Sequence, residues 1–301
     1  MNDTKRTREA SSLRTFFDDQ IDYLQNLVSS LSSHIHDEMQ QAAEDKHIVE
    51  SFVEASNTKM RAVQGYADKL REYVRTLYNH VLQIADEIPP PIDLNSDAFG
   101  ADTLVNALFV NSNDIKKLFE TDLDMKVFLS THNKEDVPRL YAVLTAHKNE
   151  KQTLGIAMQG DMLMREVPQL AVNFSAHKIH TPCTSSAELS TTLKEYLFIR
   201  VVELIKKEMM ARIANQTFNA DNSYQARVKS LANPDVYLDT LIEYIEKPTN
   251  LLSINKTHFK LSKLGIKLED DDTQSANEFD IYELNWRDDI RVVVLQIIHT
   301  R

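Results

Sequence analysis

Residues Met60–Pro91 read MRAVQGYADKLREYVRTLYNHVLQIADEIPPP. Met60, Val63, Ala67, Leu70, Val74, Leu77, Val81 and Ile84 recur in steps of three and four. That spacing lays an apolar stripe along one side of a helix. The run Pro89-Pro90-Pro91 ends it, because proline has no amide donor and pushes the residue before it out of the helical region. The stretch predicts a helical module over 1–91 and a second module over 92–301, with the boundary at the prolines.

Upstream, everything from Leu13 to about Ala85 reads as helix, with no proline and Gly65 as its one glycine. Phe17, Ile21, Leu24, Val28, Leu31 and Ile35 form another heptad seam. The two seams are out of phase, and the polar stretch Gln40–Lys46 (QQAAEDK) separates them. Either the chain turns there into an antiparallel helical hairpin, or one long coiled-coil helix runs on through a stutter. The hairpin is favoured, because each seam then has an intrachain partner; the rod would need a partner chain. Both readings make residues 13–85 the expected surface for self-association or a protein partner.

Downstream, Ile92–His132 reads as interrupted helix, including one that starts at Asn113-Asp114-Ile115 and runs through Leu118, Phe119, Leu123 and Val127. A β meander is expected over about 138–176, with Leu140–Leu144 and Thr153–Met158 joined by a polar turn at Lys148–Lys151. Met162–Val167 and Leu170–Phe174 continue it after the turn Gln159-Gly160-Asp161, with Pro168 marking an edge or a break. Ser185-Ser186-Ala187-Glu188 has the form of a capping box and opens a long helix over about 185–216. Shorter helices are expected at Tyr224–Leu231 and Asp235–Glu246. Strands at Leu251–Asn255, His258–Leu268, Phe279–Trp286 and Ile290–Ile298 occupy about 250–299, around an acidic connection at Glu269–Asp272. Val292–Leu295 is apolar on both alternating faces, which places it centrally in a sheet. The fold class is therefore α+β: a heptad-patterned helical module followed by a mixed module with antiparallel strands.

The composition narrows the function classes. With 5 glycines in 301 residues, a glycine-rich nucleotide-binding fold is disfavoured. A formal charge of −11 argues against a nucleic-acid partner. No apolar run approaches the roughly 18 residues of a membrane span. Met1–Ser12 is polar and mixed in charge, unlike a secretory signal. The single cysteine, Cys183, fits a reducing compartment, so a cytoplasmic location is expected.

The segment His177-Lys178-Ile179-His180-Thr181-Pro182-Cys183 carries the densest chemistry. Imidazole and thiolate are zinc ligands, and His177, His180 and Cys183 have HxxHxxC spacing. A fourth ligand is missing locally; His147 or Asp161 lie in the adjacent meander. Cys183 also precedes a helix N-terminus, where a thiol pKa can fall, with His180 near enough in sequence to serve as its base. Surface histidines and a small buried cysteine are the commoner explanation. Glu44 and His47 have Glu-x-x-His spacing beside His34 and His36, but the second helix repeats no such motif. Asp122 with Asp124 could attract a divalent cation, and Lys206, Lys207 and Arg212 form a small basic patch. Walker, GxGxxG, GxSxG and HExxH signatures are absent.

Two functions compete. One is a non-enzymatic cytoplasmic interaction or scaffold protein that assembles through its N-terminal coiled coil, with no cofactor expected. The other is a metal-binding or cysteine-dependent enzyme or sensor centred on His177, His180 and Cys183, with zinc as its cofactor.

Overall fold

A computed structural model describes residues 41–133, 137–159, 162–219, 233–269, 276–287 and 290–300, with side chains described except at 41–45, 157–163 and 213–219. The described chain is α+β, mixing helices with an antiparallel sheet. The seam Phe17–Ile35, the residues His34 and His36, the expected helix Tyr224–Leu231 and most of the acidic connection lie outside the described residues. The chain falls into two compact units, Met1–Gln83 with Lys194–Leu251, and Ile84–Leu193 with Leu252–Arg301. Each unit draws on two separate stretches of the chain.

In the first unit, helix α1 (Gln41–Ser56) includes Gln41–Lys46 of the polar stretch in which the sequence suggested a turn. Gln41–Lys46 contains neither glycine nor proline, so nothing in the backbone interrupts the helix there. The break comes later. Asn57 accepts a hydrogen bond from Lys59 N at 3.0 Å and caps a 3-10 turn over Thr58–Ala62. Gly65 then takes φ +70°, and helix α2 (Tyr66–Glu87) begins. Met60, Leu70, Val74, Leu77 and Val81 are fully buried, as the stripe requires.

Helix α7 (Ser186–Asn219) contributes its Lys194–Asn219 part to this unit, and α8 (Pro234–Ile245) completes it. Phe198 of α7 meets Phe52 at 6.2 Å and Tyr78 edge-on at 5.4 Å. Asn233 caps α8 by accepting from Asp235 N at 3.1 Å, with Pro234 in the first turn where its missing amide costs nothing. Lys59 Nζ reaches Tyr237 Oη at 3.1 Å, and Arg212 pairs with Glu243 at 2.6 Å, so part of the basic patch is occupied.

The second unit is built on one sheet. The short strand β1 (Ile92–Asp93) precedes four helices: α3 (Ala98–Ala101), α4 (Thr103–Leu108), α5 (Ser112–Thr121) and α6 (Leu123–Thr131). β2 (Arg139–Gln159) and β3 (Met162–Cys183) form a long hairpin. β4 (Leu252–Ser262), β5 (Ala276–Trp286) and β6 (Arg291–Thr300) follow. Among the described residues the order is β3-β2-β6-β5-β4, with β1 parallel to β6 at Ile92↔Ile297.

β6 is central, as its apolar run predicted. It pairs with β2 from Val293 to Thr300 on one side and with β5 and β1 on the other. The sheet also closes on itself. The segment after β4 turns back and lies between β4 and β3: Ser262 N donates to Ile266 O, Lys267 N to Leu170 O, and Val172 N to Gly265 O, each at 2.8 Å. Gly265 has φ +74°, and a Cβ there would stand 2.8 Å from the Val172 carbonyl oxygen, so only glycine allows this approach.

β3 supplies the curvature. Its register against β2 shifts at three places, each adding one residue to β3. A residue with positive φ sits at each shift: Glu166 (59°), Ala176 (52°) and Thr181 (48°). Such bulges bend a strand and raise its twist. The sequence suggested separate short strands here, with a turn at Lys148–Lys151, whereas β2 and β3 each run unbroken for 21 and 22 residues.

The core lies between one face of the sheet and α4–α6. Leu140, Ala142, Leu144 and Ala146 of β2 join Val293, Leu295 and Ile297 of β6, and the helices add Leu108, Ile115, Phe119, Met125 and Phe128. Leu123 and Val127, expected on the apolar side of one helix, are 65% and 61% exposed. Asp122 interrupts that helix by capping α6, and the new phase buries Met125 and Phe128 instead. No helix among the described residues is long and apolar enough to cross a membrane.

Because Leu295 packs in the central strand, Leu295→Ala should cost about 2–5 kcal/mol of unfolding free energy. Urea denaturation followed by circular dichroism reads this as a lower midpoint with an unchanged slope.

Candidate functional site

The segment HKIHTPC is strand rather than connection. β3 keeps its pairing with β2 through Ile179↔Leu144, His180↔Val143 and Cys183↔Tyr141. At the rise of an extended chain, His177 and Cys183 are roughly 15–20 Å apart. Leu144 and Ala146 face the core, so Thr145 between them faces the other way. His180 Nε2 lies 2.9 Å from Thr145 Oγ1, on that opposite face. His177 turns to the core side, where it stacks on Phe109 with centroids 4.4 Å apart. Zinc needs its ligand atoms within about 2.3 Å, and this strand holds His177, His180 and Cys183 too far apart for one ion. Among the described residues, no three His, Cys, Asp or Glu side chains are grouped to hold a metal.

Cys183 is buried, with Sγ 3.5 Å from the Tyr141 carbonyl oxygen and 3.6 Å from that of Ser185. Burial, then the negative charge of Glu188, pushes its thiol pKa up to about 12. The helix N-terminus that could have lowered it is already engaged. Ser185 Oγ accepts from Glu188 N at 3.2 Å, and Glu188 Oε2 accepts from Thr184 N and Thr184 Oγ1 at 2.9 Å each. The expected capping box is present, with the carboxylate reaching one residue further back than Ser185. A protonated thiol at neutral pH is a poor nucleophile.

In the acidic pair, Asp122 organises structure. Asp122 Oδ1 accepts from Met125 N, and its Oδ2 accepts from Ile179 N on β3, both at 3.1 Å. Burial raises the pKa of Asp124, as does Asp122, while Lys178 opposes the shift. His177 is lowered by burial, against the Leu108 carbonyl and Asp114, and its Nε2 is buried without a hydrogen-bond partner among the described residues. Glu44 and His47 belong to α1, not to a turn, and His147 on β2 is exposed opposite Ser175. Asp161 lies outside the described residues.

One charged group on the core side escapes sequence reading. Lys148 follows Leu140, Ala142, Leu144 and Ala146 on the inward face of β2, and Glu283 follows Phe279 and Ile281 on that of β5. They meet with Nζ and Oε2 2.7 Å apart, and Glu150 joins at 3.1 Å. Burial alone would lower the Lys148 pKa, but the hydrogen bonds that it donates to Glu283 and Glu150 outweigh it and hold the ammonium above its usual range. Lys148 and Lys267 also stand 5.3 and 5.5 Å from the Phe259 ring centroid. The sequence signal is the break in alternation, where a lysine and a glutamate occupy positions that the pattern reserves for apolar residues.

The remaining distinctive feature is the far part of the β2–β3 hairpin. β6 covers β2 only up to Ala146, and the segment after β4 reaches β3 only at 170–172. Beyond those points, no residue with a described side chain from Lys151 to Gln169 is buried, and Leu154, Ile156 and Met164 are 67%, 58% and 41% exposed. No protein-family model, curated protein or solved structure matches the chain.

Two outcomes test these assignments. Lys148→Met leaves Glu283 buried without its cation and should cost about 3 kcal/mol, whereas Lys148→Met with Glu283→Leu should recover most of it, as read by a double-mutant cycle in urea. Cys183 in the folded protein at pH 8 should react with iodoacetamide on the order of a thousandfold more slowly than in urea, since its thiolate fraction is that much smaller.

Proposed function

We propose that this chain is a non-enzymatic cytoplasmic interaction protein that assembles through its N-terminal heptad-patterned segment. The observation that carries this reading is the seam Phe17, Ile21, Leu24, Val28, Leu31 and Ile35. The spacing of that seam calls for an apolar partner stripe, which a second copy of the chain would supply. The downstream stripe is already buried, and Phe52, Tyr78 and Phe198 cluster in the same unit.

The chemistry of the described residues agrees with this reading. The cysteine is protonated and shielded, the His177 and His180 rings face opposite ways, and Asp122 is spent on capping α6 and on β3.

The full-length protein should sediment as a dimer or larger at equilibrium. Leu24→Asp with Val28→Asp puts carboxylates into the seam and should lower the mass below that of the wild type. A wild-type chain that stays monomeric at its highest soluble concentration would overturn the reading.

A further inference from the structure

We propose that the outer edge of β2, over Gln152–Gln159, is a second association surface, and that it takes the same edge of another copy of this chain. The inference deepens the assembly reading above and rests on it.

The far part of the hairpin is a two-stranded ribbon with no buried residue among its described side chains. A two-stranded ribbon alone is marginally stable in water. Its two edges are unlike. On the β3 edge, Pro168 lacks an amide donor, Glu166 leaves the extended conformation at φ 59°, and Arg165 and Glu166 carry charge. These are the features with which proteins prevent strands from pairing at an edge.

The β2 edge has none of them. Gln152-Thr153-Leu154-Gly155-Ile156-Ala157-Met158-Gln159-Gly160 contains no proline and no charged residue, and the backbone is extended through Gln159. Among the described residues, no strand pairs with it on the side away from β3. One carbonyl of this run is engaged, Ile156 O accepting from Gln169 Nε2 at 3.2 Å, but an edge that is long and uncharged is built to accept a strand.

The occupant follows from charge and symmetry. Each chain carries a formal −11, so two copies repel on balance. The uncharged run is where their backbones can meet at least electrostatic cost. Antiparallel pairing of a strand with itself is isologous: a two-fold axis near Gly155 and Ile156 offers each copy's outward amides to the other's carbonyls, without a complementary sequence. Leu154 and Ile156 of both copies then gather around the axis, which covers the exposed apolar side chains of the ribbon.

The test uses full-length protein and sedimentation equilibrium. Leu154→Lys with Ile156→Lys brings four like charges to the axis and should weaken association roughly tenfold or more. Leu154→Thr with Ile156→Thr keeps an uncharged, β-branched edge and should stay within about twofold of wild type. Both positions are more than half exposed, so both variants should melt like wild type. The seam variant Leu24→Asp with Val28→Asp separates the two surfaces, because in that background the remaining association should be a dimer that the lysine pair abolishes. If the lysine variant associates like wild type while the seam variant does not, the edge inference falls and the seam reading stands. If the lysine variant loses association and the seam variant keeps it, the edge stands and the seam reading falls.

Discussion

The placement of β6 at the centre of the sheet constrains everything else in its unit. It is the last described strand in the chain, yet β2, β5 and β1 all bond to it. The unit therefore cannot complete its sheet until Arg291–Thr300 is in place. Val293, Leu295 and Ile297 face the same core as the helices α4–α6, so the strand joins the sheet's hydrogen bonds to the burial of that layer. Closure through Gly265 is the second part of the constraint. The chain can approach the Val172 carbonyl only where it has no Cβ, and the bulges in β3 bend the opposite side to meet it.

Much of this is legible in the residues. The stripe of α2, the cap of α7, the helix after Asn233-Pro234 and the centrality of Val292–Leu295 are written in local spacing, and local physics decides them. The unbroken length of β2 is not. Lys148–Lys151 looks like a polar turn because the partner that draws Lys148 inward, Glu283, is 135 residues away. The candidate site misleads for a similar reason. HxxHxxC promises convergence only if the backbone folds back, and pairing with β2 holds His177, His180 and Cys183 along an extended strand. Likewise, Asp122 and Asp124 look like a cation site until Ile179 N and Met125 N are seen to use the first carboxylate.

The contrast between interior and arm gives the functional account its shape. Inside the second unit, Lys148 is paired with Glu283, and His177 and His299 are packed on phenylalanine rings. On the arm, strand length continues beyond anything the core needs, and one edge is guarded while the other is bare. A sheet edge with open donors and acceptors is a site of association rather than of chemistry. The N-terminal seam is proposed as a second such site because its three- and four-residue spacing calls for another apolar stripe.

Amide hydrogen exchange of the full-length protein at low and high concentration tests this account most directly, because it reads each surface separately. The account predicts that peptides covering Leu13–Ile35 and Gln152–Gly160 gain protection as the protein is concentrated, while those from α2 and β6 exchange at the same slow rate throughout. Exchange that is identical at both concentrations along the whole chain would contradict it.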